Sequence, residues 1–338
     1  MNTQHFEGFA SFLARISPFD LVWGLLSSPV VSVVLAVAAA VAIAAIRRRA
    51  GGVSATFGPR GERVAVAALA LAVGVLWLLD ILLRGYVFDM SATVSWWRFA
   101  VAPTVAAAGL ALLAIAMRTS RPRRVVDAAT VVRRTWTTFG PRRGILSFVA
   151  LGGVAVVITL VFGWMSTAFE PGLSAHVALE LPNTDEAPVI LPFPGWAYGI
   201  PLILSICALA AAVMFTLRRN AVRPFPDDLA LDVERPRRAA VARDAVVLAT
   251  AATLLALAGM LRLARGAVTT SVTIMTDSGT GPALSVDLPH ADLILVGGAL
   301  APVLEIGGCL LLALLVGRGI RVAGARRRRT PARAEVSA

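Results

Sequence analysis

The chain contains no lysine: all 32 of its basic residues are arginine, set against 20 acidic residues for a net charge of +12. That absence excludes two classes. A retinal protein needs a lysine for its Schiff base, and a phosphate-binding loop of the G-x-x-x-x-G-K-[ST] type needs one for the phosphates. Cysteine is almost as scarce. Cys207 and Cys309 both lie in apolar runs, so they read as free, buried, small hydrophobes, and no disulfide framework is expected. Histidine is limited to His5, His176 and His290. They form no H-x-H or H-E-x-x-H pattern, and with no C-x-x-C either, neither a metal site nor a cofactor is expected. There is no G-x-S-x-G, and no segment between the apolar runs is long enough for a soluble catalytic domain. The chain does not read as an enzyme.

What the chain has is apolar length. Hydrophobic residues make up 57% of it and its mean hydropathy is +0.77, where soluble domains hold about 45–50% apolar residues. Seven apolar runs can be marked, at 21–46, 64–83, 99–117, 144–168, 198–217, 244–263 and 292–316. Each approaches the ~20 residues that cross a ~30 Å hydrocarbon core. The arginines gather at the ends of these runs, and alternation sorts them. One side receives 27 and the other five, namely Arg15, Arg84, Arg98, Arg262 and Arg265. Arginine on this pattern sets topology, so nucleic-acid binding is not expected. The expected fold is an all-α integral membrane protein with seven transmembrane helices, N-terminus outside and C-terminus cytoplasmic, multi-pass in a bacterial cytoplasmic membrane. Trp23, Trp96, Trp97, Trp164 and Trp196 fall at the outer ends, as an aromatic belt would.

The flanks and connections carry further signals. Residues 1–20 place Phe6, Phe9, Phe12, Leu13 and Ile16 at helical spacing, which predicts a short amphipathic helix on the outer surface rather than a signal peptide. Pro29 marks a kink in the first span or a late start to it. Between the third and fourth runs, Val125, Ala129, Val132, Trp136 and Phe139 recur at helical spacing opposite polar residues. This predicts a helix lying on the anionic inner leaflet, or one that docks a membrane or cytoplasmic protein through 118–143. The segment 218–243 mixes arginines with Asp227, Asp228, Asp232, Glu234 and prolines, and reads as an irregular solvated linker. Asp244 is then placed near the N-terminus of the sixth helix. Residues 318–338 read as a disordered basic tail.

Two short motifs recur. Thr56-Phe57-Gly58-Pro59-Arg60 returns as Thr138-Phe139-Gly140-Pro141-Arg142, and Arg121-Pro122-Arg123-Arg124 returns as Arg235-Pro236-Arg237-Arg238. Each copy of the first precedes an out-and-back pair of spans, which suggests an internal repeat of a kind found in transporters. The outer loops are β-prone: 268–276 with 283–288 around a turn at 277–281, 176–181 with 188–191, and a possible strand in 86–94. The three tips are candidates to pair into a small cap.

Charges within the spans are the candidate functional residues. Glu305 lies near the middle of the seventh run, beside Gly297, Gly298, Pro302, Gly307 and Gly308, which make that helix easy to bend and to approach. An intramembrane carboxylate is a functional candidate by default. The structural alternative is a hydrogen bond to Thr159, Ser205, Thr250 or Thr253 on a neighbouring helix. Asp80 and Arg84 stand at i,i+4, and Arg262 and Asp292 are expected at matching depth, so both pairs read as structural ion pairs. The leading functional expectation is a structural or accessory membrane subunit embedded in the lipid bilayer. The alternatives are an ion- or proton-coupled transporter using Glu305, and a sensor with an outer ligand-binding cap.

Overall fold

The computed structural model describes residues 24, 28–49, 60–88, 90, 93–117, 139–168, 172–179, 188–222, 231–276, 279–285 and 290–327. Among the described residues seven helices are arranged in a bundle: α1 (Pro29–Arg49), α2 (Arg60–Leu82), α3 (Val101–Ala116), α4 (Arg142–Met165), α5 (Trp196–Val222), α6 (Leu231–Thr269) and α7 (Ala291–Arg327). Six of them are long and apolar enough to cross a membrane, and Val101–Ala116 is apolar but shorter. Their outward faces agree with that environment. Val34, Leu71, Leu112, Val149, Leu204 and Val296 are each more than half exposed. Apolar surface this continuous is not sustained in water, whereas helices apolar all round belong to lipid.

α6 is the most buried helix and the axis of the bundle. It packs against α2, α3, α4, α5 and α7, and α1 closes the far side of α7. Its inward residues are small as well as apolar. Ala245, Leu248, Ala249, Ala252 and Leu255 meet Val66, Ala70 and Val73 of α2, Ala106 and Leu110 of α3, and Leu209 and Leu217 of α5. Small side chains let backbones approach, and dispersion between packed helices does the work that water expulsion does elsewhere. Gly308 of α7 shows the limit: a Cβ there would sit 2.9 Å from the Leu255 side chain and 3.1 Å from the Ala251 carbonyl oxygen. α7 is one continuous helix through Pro302. At this position its glycine therefore serves close packing.

The helices alternate between two ends. At the arginine end lie the last residues of α1, α5 and α7 and the first of α2, α4 and α6. At the other, the hairpin end, β1 (His176–Leu179) pairs antiparallel with β2 (Val189–Pro192), with His176 opposite Pro192. Likewise β3 (Ser271–Thr276) pairs with β4 (Gly279–Ser285), with a bulge between Thr273 and Met275. Among the described residues these are two separate two-stranded sheets, not one shared cap. The expected strand in 86–94 is absent from its described part. Leu83–Val87 instead forms a π-turn continuing α2, closed by Phe88 N–H donating to the Leu83 carbonyl at 2.9 Å. The exposed Trp96, Trp97 and Trp164 lie at this same end.

Three boundaries differ from the sequence reading, each for a visible reason. α1 starts at Pro29, where a missing N–H costs nothing. The segment 218–243 is not an irregular linker throughout, because α5 runs to Val222 and α6 begins at Leu231. Buried Arg238 pairs with Glu234 at 3.2 Å and donates to the Asn220 and Ala221 carbonyls at the end of α5. A guanidinium over the last carbonyls of a helix satisfies groups that have no partner within it. The Phe139 ring stacks 5.7 Å from the same guanidinium, so the second copies of the two recurring motifs meet. The third boundary is the end of α7, which continues to Arg327, beyond the expected 316. The expected N-terminal surface helix, and Val125, Ala129, Val132 and Trp136 of the expected inner-leaflet helix, lie outside the described residues.

Candidate functional site

Glu305 is buried, with 2% of its surface exposed. Its partners come from two other helices. Ser32 of α1 donates to Oε2 at 2.9 Å, and Arg262 of α6 forms an ion pair with the same oxygen. None of the four expected hydroxyl partners is used. Thr159, Ser205, Thr250 and Thr253 each donate to a carbonyl three or four residues back in their own helix. Local bonding of this kind is the default for a hydroxyl in a helix interior.

The expected Arg262–Asp292 pair is likewise replaced by Arg262–Glu305. The antiparallel register of α6 on α7 explains it. Gly297 meets Leu261 and Gly308 meets Leu255, which sets Asp292 beside the last residues of α6, about 12 Å from Arg262 at 1.5 Å per residue. Asp292 is exposed in the first turn of α7. Arg262 instead reaches toward the bundle centre, to Glu305.

Asp80 and Arg84 do pair, at 3.3 Å. The π-turn carries Arg84 into a buried position, where it also donates to Ser95 at 2.6 Å. π-turns recur at functional sites because the extra residue re-aims a side chain. Arg98 follows in the turn before α3. Its guanidinium lies 5.3 Å from the Phe99 ring and interacts with the Tyr198 hydroxyl of α5. Phe99 is held between Tyr198, with ring centroids 5.3 Å apart, and Gly259 of α6, where a Cβ would come within 2.8 Å of the ring.

Asp80, Arg84, Arg98, Phe99 and Gly259 line one cavity of about 630 Å³ at the hairpin end, together with Arg262 and Glu305. Asp80, Arg84, Arg98, Arg262 and Glu305 supply its charges, and Trp77, Phe99 and Leu263 part of its apolar wall. Pro192 of β2 stands at its rim. The volume is in the range of sites for small organic ligands. Counted as ionised, the charged lining among the described residues is three guanidiniums and two carboxylates.

A second buried cluster closes the arginine end. Asp244 accepts from Arg318 of α7 at 2.7 Å and lies 3.5 Å from Arg63 of α2. It stands well inside α6 rather than at a helix N-terminus, and joins three helices. Among the described residues no group of three or more metal-ligating side chains occurs. Of the histidines, His176 lies in β1 and His290 precedes α7 with φ +62°.

Sequence reasoning marked Glu305, Asp80, Arg84 and Arg262, and the structure brings all four to one cavity. It missed Ser32, Ser95, Arg98 and Tyr198. Arg98 did carry a signal, as one of the five arginines on the sparse side. A lone serine within an apolar run carries none.

The fold and site together define a multi-pass helical membrane protein with a charged cavity below its hairpins. Compared with known protein families, curated proteins and solved structures, the chain matches none.

Proposed function

We propose that this protein is a solute-binding membrane transporter of seven spans, with the hairpins outside, the arginine end in the cytoplasm, and Glu305 as its central intramembrane carboxylate. The observation that carries the reading is that Glu305 lies on the wall of a cavity at the hairpin end, in an ion pair that links α6 to α7. A carboxylate in a membrane interior is costly, and its common uses are substrate and ion pathways. At the opposite end, Asp244 ties α2, α6 and α7 together. A cavity at one end and a bridged closure at the other is the arrangement expected of an outward-facing transporter. The span beyond the six long helices is α3, whose 16 residues cover about 24 Å at 1.5 Å each. The excess of arginine at one end supports the orientation and a bacterial cytoplasmic membrane.

An accessory subunit and an outer sensor remain the other readings. The first gives no role to a charged cavity at Glu305. The second is not favoured by two hairpins that form separate sheets. The test is uptake. Proteoliposomes are incubated in a mixture of organic solutes and their contents read by mass spectrometry. At least one solute should accumulate with the native chain and fail to accumulate with Glu305→Gln, while both proteins insert equally. Contents matching those of empty liposomes would overturn the proposal.

A further inference from the structure

Among the described residues the charges lining the cavity do not balance, and the imbalance names a ligand. Two of its three guanidiniums are matched by carboxylates, Arg84 by Asp80 and Arg262 by Glu305. Arg98 has no carboxylate within ion-pair distance among the described residues; its polar partner is the Tyr198 hydroxyl. A phenol is neutral at ordinary pH, so it satisfies a hydrogen bond without supplying a charge; Asp80 also attracts Arg98, but it is the carboxylate already paired with Arg84. A guanidinium with little water around it favours an anion strongly, because interactions in a low-dielectric site are screened far less than in bulk water. Its planar fork also suits a carboxylate or phosphate held by two hydrogen bonds.

The rest of the wall says what the anion is attached to. Trp77 and Phe99 offer aromatic surface, and Pro29, Ile81 and Leu263 add aliphatic surface. An inorganic ion would leave most of this unused, while a long polar solute would bury groups with no partner. We infer that the cavity binds a monoanion with an apolar body, its carboxylate or phosphate group paired with Arg98 and its body laid against Trp77 and Phe99. This rests on the solute-binding reading above and gives it a substrate class. The same chemistry has two sources, a free organic acid from outside and the headgroup of an anionic lipid.

Isothermal titration of the full chain in phosphatidylcholine nanodiscs separates the possibilities, with benzoate, the diester methyl phenyl phosphate and benzamide as probes. At least one of the two anions should bind, at least tenfold more tightly than neutral benzamide. Arg98→Gln should lose that binding at least tenfold. Arg98→Lys, which keeps the charge but not the fork, should bind the anions more weakly than the native chain and more tightly than Arg98→Gln, and Arg47→Gln at the far end of α1 should leave binding unchanged. A purely structural Arg98 would not make affinity follow probe charge. In a second arm, nanodiscs containing phosphatidylglycerol are studied by native mass spectrometry. Lipid retained by the native chain and lost in Arg98→Gln supports the same anion site with a lipid source.

Benzamide binding as well as the anions, or Arg98→Gln binding them unchanged, would overturn the anion assignment while leaving the solute-binding reading in place. Absence of binding in both arms would overturn it as well. A chain that binds benzoate through Arg98 yet accumulates nothing in proteoliposomes would refute transport and leave the anion site standing.

Discussion

Glu305 is held by one hydroxyl and one guanidinium, and the two should differ sharply in what they contribute. Ser32→Ala removes a hydrogen bond but leaves the ion pair, so melting in detergent should report a loss of about 1 kcal/mol. Arg262→Met leaves a buried carboxylate without its countercharge, a change that typically costs about 3–5 kcal/mol. The double variant Arg262→Met with Glu305→Met should recover most of that loss, since both charges leave together. Additive losses in the double variant would show that the pair is not coupled. At this scale the sequence was partly readable. A carboxylate amid apolar residues stands out, and so does an i,i+4 pair such as Asp80 and Arg84. Which residue answers Glu305 was not readable, because Ser32 lies 273 positions away and nothing local distinguishes it from any other serine.

Helices carry the next level of the argument. α6 and α7 cross at Gly308, and the contact leaves no room for a side chain. Gly308→Leu should force the helices apart and lower stability by about 1–3 kcal/mol, the usual cost of overpacking, as read from thermal unfolding in detergent. Since Arg262 and Glu305 sit on these two helices, the same variant should also weaken anion binding. Unchanged stability would mean that α7 moves freely against α6. The approximate positions of the six long apolar helices and of the shorter Val101–Ala116 were legible from apolar runs. Their ends were not, as 218–243 shows. Its arginines and prolines look like a linker in one dimension. In three, Arg238 closes α5 while belonging to α6, so charges that imply solvent in the sequence are buried against helix ends.

At the scale of the whole molecule, orientation is the property most open to direct measurement. In a background of Cys207→Ser and Cys309→Ser, a cysteine replacing Leu173 before β1 should react with a membrane-impermeant maleimide on intact cells. A cysteine replacing Ala323, near the end of α7, should react only after the membrane is opened. The reverse pattern would invert the topology and place the cavity on the cytoplasmic side. The bundle gives this test its meaning, since Leu173 and Ala323 are both exposed and lie at opposite ends.

Apolar length and arginine placement act locally, through partition into lipid and attraction at its surface, so the sequence alone determined that this chain forms helices apolar and long enough to cross a membrane, with arginine gathered at their ends. The register between helices depends on how side chains fill one another's gaps, and no periodic pattern encodes it. Only the tertiary structure decided that Arg262 meets Glu305 rather than Asp292. It also decided that Asp244 bridges two other helices, and that Asp80, Arg84, Arg98, Arg262 and Glu305 line one cavity in which, among the described residues, guanidiniums outnumber carboxylates.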